Sequence, residues 1–80
     1  MNTTLSDFVK KLKLFYATVT ASGKVSVKVD EETETVVYCE GESEHTISPE
    51  FASEIIASYR HLAERVEGLS IEEYVMWEVY

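Results

Sequence analysis

The sequence has few of the residues that staple or punctuate a small fold. Its 80 residues include one cysteine, Cys39, one proline, Pro49, and three glycines, Gly23, Gly41 and Gly68. A single cysteine excludes an internal disulfide, and the absence of cystine fits a reducing compartment. There is no Pro/Gly linker, no internal repeat and no low-complexity tract, so residues 1–80 read as one domain. No apolar run approaches the roughly 18 residues of a membrane span. Residues 1–13 carry neither an apolar stretch nor a small-residue cleavage site, so no secretory signal is read there. A cytoplasmic location is expected.

Patterns for catalysis and ligand binding are missing as well. There is no G-x-S-x-G, Walker or H-E-x-x-H pattern. Asp30-Glu31-Glu32-Thr33-Glu34 lacks the glycine and spacing of a calcium loop, and His45 and His61 stand too far apart for a zinc site. No metal and no cofactor are expected. Cys39 and His45 form the one conceivable nucleophile–base pair. Acids rather than cations flank Cys39, however, and its neighbours Val37 and Tyr38 mark a strand of the core. The chain is not expected to be an enzyme.

Positive charge is scarce and confined. Seven basic residues face fifteen acids, for a formal net charge of −8. Residues 1–28 hold five lysines against Asp7 alone, whereas residues 29–80 hold two arginines against fourteen acids. No basic residue lies between Lys28 and Arg60, a stretch with nine acids that repel one another. What is abundant is apolar material, at 45% of residues with 11% aromatic, enough for a packed core. At this length folding buries only about 60–65% of the surface of the unfolded chain, so the core is single and stability is small.

Element signals follow one another along the chain. Thr4 to Asp7 reads as a capping-box variant, and Leu5, Phe8, Val9 and Leu12 form a helical stripe, predicting a helix over about 5–14. Phe15, Ala17, Val19 and Ala21 then alternate with polar residues and predict a strand. Ser22-Gly23 is read as a hairpin turn into a second strand that carries Val25, Val27 and Val29. Thr35–Glu40 predicts a third strand, and Gly41–Thr46 reads as a polar loop or a short edge strand. Ser48-Pro49-Glu50 starts a helix that Gly68 ends. Ser70 and Glu73 form a second capping box, with Leu69 and Tyr74 as its staple, and the last helix runs from about 71 to the end. The expected class is α+β in the order α-β-β-β-α-α, with a three-stranded antiparallel sheet packed against helices.

Two surfaces emerge as candidates for partner binding. Asp30, Glu31, Glu32 and Glu34 lie at one end of the third strand, and Glu40, Glu42 and Glu44 at the other. Strand geometry separates the two clusters by roughly 15–20 Å. Carboxylates on that scale suit a cationic groove built for phosphates, because duplex DNA carries one charge per about 1.7 Å. The expected partner is a protein with a basic, nucleic-acid-binding surface. The alternative is that the acids serve solubility. The second surface lies on the last helix. Ile71, Tyr74, Val75 and Val79 suffice to dock it, which leaves Met76, Trp77 and Tyr80 for an apolar interface, with a partner or in a homodimer.

The α-β-β-β-α order resembles the double-stranded-RNA-binding domain, but Pro49-Glu50-Phe51-Ala52-Ser53-Glu54 stands where that family needs a basic cluster. Direct nucleic-acid binding is therefore not expected. In size, acidity, absent cofactor motifs and element order the chain resembles small phage-encoded anti-defence proteins. Among them are anti-CRISPR inhibitors, some of which block the DNA site of an effector nuclease with acidic loops. The likeness implies a DNA-mimicking inhibitor acting on a CRISPR effector or another nucleic-acid-binding protein in the host cytoplasm. It carries no residue over.

Overall fold

A computed structural model describes residues 4–80. Helix α1 spans Leu5–Thr20, strands β1, β2 and β3 span Val25–Asp30, Thr35–Glu40 and Ser43–Thr46, and helices α2 and α3 span Pro49–Ala63 and Ile71–Val79. The class is α+β and the order is α-β-β-β-α-α. The sheet is an antiparallel meander in the order β1-β2-β3.

Helix α2 stops at Ala63, before the Gly68 end expected from the sequence, and two other segments differ from expectation in a linked way. Residues 15–20 continue α1 rather than forming a strand. Phe15 and Val19 are half-buried while Ala17 and Ala21 are exposed, so the inward positions are four apart and fit a helix. Leu12, Phe15, Tyr16 and Val19 carry the apolar stripe onward at helical spacing. The hydroxyls of Thr18 and Thr20 donate to the carbonyls of Leu14 (2.8 Å) and Tyr16 (2.6 Å), which absorbs two residues that disfavour helix. Ser22-Gly23 therefore links α1 to β1 instead of closing a hairpin, with Gly23 at a left-handed φ of 75°.

The missing strand is supplied by the segment read as a loop or edge strand. All four side chains of β3 are exposed, so backbone pairing alone holds it. Gly41 opens the two-residue turn between Glu40 and Ser43 at φ 61°. The Ile47 amide extends the ladder by donating to the Val36 carbonyl at 2.9 Å.

The helices cover one face of the sheet. Val27 and Val36 meet Ala52, Ile55, Ile56, Ile71, Val75 and Met76 in the larger core cluster. A smaller cluster of Val9, Leu12 and Leu69 lies between helices. Helix α3 packs on α1, α2 and β1. The Tyr59 hydroxyl ties the entry of α3 to α2 by donating to the Leu69 carbonyl at 2.7 Å.

The capping box of α3 forms as expected. The Ser70 hydroxyl accepts from the Glu73 amide (3.2 Å), and the Glu73 carboxylate accepts from the Ser70 amide (3.0 Å). Lys13 reaches the same carboxylate at 3.2 Å and joins α1 to α3. Burial pushes the Glu73 carboxyl up, but the Ser70 amide and the Lys13 ammonium together outweigh it and hold it below its ordinary 4.5. A depressed carboxyl stabilises the fold above its unfolded value and stops doing so as pH falls through its folded value. Glu73→Gln is expected to cost about 1 kcal/mol at neutral pH. In urea titrations across pH, the gap from wild type should persist down to about 4.5 and close below it.

Candidate functional site

Strand β2 carries the expected acidic residues at its two ends, and the ends differ. At the β1–β2 end, Asp30 is used by its own turn. Its Oδ1 accepts from the amides of Glu32 (3.0 Å) and Thr33 (3.4 Å). Glu31 pairs with Arg60 of α2 at 3.6 Å, and the Arg60 guanidinium also donates to the Glu31 carbonyl at 3.3 Å. The Glu34 carboxylate accepts from the Ser53 hydroxyl at 3.3 Å. Three of the four acids at this end are thus engaged by the chain itself, and Glu32 alone has no such partner among the described residues.

The β2–β3 end is more available. Glu42 sits exposed in the turn and makes no ion pair among the described residues. Glu44 on β3 pairs with Lys28 on β1 at 3.6 Å, across β2. Both of these side chains are more than half exposed, so the pair is worth under about 1 kcal/mol and yields readily to a partner's cation. The Glu40 carboxylate accepts from the Tyr38 hydroxyl at 3.2 Å. Burial first, and the Glu40 carboxylate second, raise the Tyr38 hydroxyl above its ordinary 10.0.

Tyr38 connects this acidic turn to a row of aromatic rings. Its ring lies 6.3 Å from Tyr80, Tyr80 lies 5.7 Å from Phe15, Phe15 lies 5.3 Å from Trp77, and Trp77 lies 6.2 Å from Phe8. Most of these pairs meet edge to face, the arrangement that the ring quadrupoles favour. Trp77 is 42% exposed and Tyr80 63%. Met76 departs from expectation. It is fully buried in the larger cluster because it faces the sheet side of α3, so it offers nothing to a partner.

Phe8, Phe15 and Tyr38 were not singled out as site residues from the sequence. A signal existed in the spacing of Phe8 and Phe15, seven apart on one helix stripe. Nothing local links either to Tyr38.

Cys39 and His45 do not meet. Cys39 shares the helix-free face of the sheet with Glu44, its partner on β3, whereas His45 is paired with Tyr38 and lies on the opposite face. Among the described residues no group of three metal-ligating side chains gathers. No helix among them is long and apolar enough to cross a membrane. Compared with protein families, curated proteins and solved structures, the chain matches none of them.

Phe15 supports both exposed rings, so Phe15→Ala should loosen the row. Because Phe15 is half-buried, the expected cost is about 2 kcal/mol, less than for a fully buried phenylalanine. Trp77 is the sole tryptophan, and its fluorescence should shift to the red and become more open to acrylamide quenching.

Proposed function

We propose that this chain is a non-catalytic binding module. It docks on a protein whose apolar cleft is rimmed by lysine and arginine side chains. Trp77 and Tyr80 enter the cleft, and Glu40 and Glu42 meet the cations at its rim, whereas Glu44 pairs with Lys28 on the helix-free face of the sheet. The observation that carries this reading is Tyr38, whose ring touches Tyr80 while its hydroxyl donates to Glu40. Apolar and acidic candidates thereby adjoin on one surface. Rigid aromatic rings provide contact area at low entropic cost, and carboxylates speed encounter with a basic partner.

A cationic surface of this kind is what proteins that bind nucleic acids present to phosphates. Occupying it excludes the nucleic acid, and the role that follows is an inhibitor or decoy of the phage anti-defence type. The acids at the β1–β2 end contribute less, because Arg60, Ser53 and the turn amides already engage them.

The test is capture of partners from a host lysate by tagged protein at low and at high salt. Two variants run beside wild type, Trp77→Ala/Tyr80→Ala and Glu40→Lys/Glu42→Lys, each checked for a native circular dichroism spectrum. The expected result is a nucleic-acid-binding protein held by wild type, competed by DNA, weakened by salt and lost with either variant. Retention of that protein by both variants would refute the shared surface.

A further inference from the structure

Three of the seven basic residues line a groove that the proposed surface does not use. The groove has a volume of about 320 Å³, and its floor is apolar, formed by Leu5 and Val9 of α1 and by Val66 just past α2. Lys10, Lys13 and Arg65 line its walls. Arg65 also borders a second hollow of about 440 Å³ that continues along α2 over Leu62 and Ala57. The combined surface follows α2 from Ala57 to its end at Ala63, seven residues or about 10 Å at 1.5 Å per residue, roughly two helical turns, and continues to Arg65 and Val66.

Two of the three cations here are not neutralised internally. The chain has fifteen acids for seven bases, yet Lys10 and Arg65 make no ion pair among the described residues. Lys13 is held by Glu73, and Glu67 is the sole acid on the groove wall. The groove is thus a locally cationic, apolar-floored channel on an acidic protein. At physiological ionic strength charges beyond about 8 Å are largely screened, so a ligand in the groove responds to Lys10, Arg65 and Glu67 more than to the net −8.

We infer that this groove binds an acidic amphipathic helix of a second protein. Its apolar stripe lies on Leu5, Val9, Val66 and Leu62, and its flanking carboxylates pair with Lys10 and Arg65. The length of the channel and its apolar floor suit the helix-in-groove mode. Its cations select acidic over basic sequences. At about 100° per residue, Lys10 and Lys13 fall on the flank of α1 opposite Phe8 and Phe15. The two surfaces are therefore separate, and the chain can bridge a basic partner and an acidic one.

The experiment uses the full chain and two fluorescein-labelled synthetic helical peptides. One carries leucine at i, i+3, i+4 and i+7 with glutamate on the flanks, and the other has lysine in place of each glutamate. Fluorescence anisotropy is expected to show binding of the glutamate peptide, weakened by salt, and little binding of the lysine peptide. Lys10→Glu/Arg65→Glu should weaken the glutamate peptide at least about tenfold, as loss of two charge contacts implies. Trp77→Ala should leave it unchanged, which keeps this result distinct from failure of the aromatic surface. Equal binding of both peptides would overturn the inference. So would indifference to the double reversal, or displacement of the peptide by a short DNA duplex, which would make the groove a phosphate site.

Discussion

A nine-residue helix, α3, stands where the other two helices and the sheet meet, and the placement of everything else depends on its burial. Alone it would not hold, since helices this short are marginal in water. Its position is set from both sides. At its start the Ser70–Glu73 box, the Lys13 bridge and the Tyr59 hydroxyl fix the entry, and along its length Ile71, Val75 and Met76 sink into the larger cluster. Once those three face inward, the helical period turns Trp77 and Tyr80 toward Phe15 and Tyr38. The exposed rings of the proposed surface are a consequence of how the core closes.

The sheet performs the matching task for charge. Three strands can bury one face, and the two hairpin turns project from opposite ends of β2. Both turns are acidic. One lies against α2 and is restrained by Arg60 and Ser53, while the other projects beside the aromatic row. The same sequence feature thus has two different consequences, decided by which element lies next to it. The mutual repulsion of these acids costs stability in a chain with a small core, and a partner's cations would relieve it.

Much of the fold was legible locally. The Thr4 cap, the Ser70–Glu73 capping box, the Pro49 start, the β1 and β2 strands and the entry of α3 follow from short-range chemistry, and each appears where the sequence puts it; the reciprocal bond from Asp7 back to Thr4 does not form. The first helix reads short because Phe15, Ala17, Val19 and Ala21 satisfy a period of two. The two residues that do pack, Phe15 and Val19, satisfy a helical period equally well. Strand β3 has no side-chain pattern to read, since its four side chains are exposed and the backbone ladder does the holding. The element order came out the same because the lost strand and the gained one exchanged places.

The site was legible in its parts and not in its arrangement. Trp77, Tyr80 and the acids stand out by type, but Met76, which the type alone groups with them, faces the core one helical step from Trp77. That Tyr38 joins Tyr80 to Glu40 is a contact between residues 42 apart in sequence, which no local period reports.

In the proposed function the rings of α3 and the β2–β3 turn act as one surface. Its most direct test is an amide and indole chemical-shift map of the isotope-labelled chain titrated with its captured partner. The Trp77 indole and the amides of Tyr38–Glu42 and Tyr80 are expected to move together while Glu31–Glu34 stay in place. Shifts confined to Glu31–Glu34, or a silent Trp77, would contradict it.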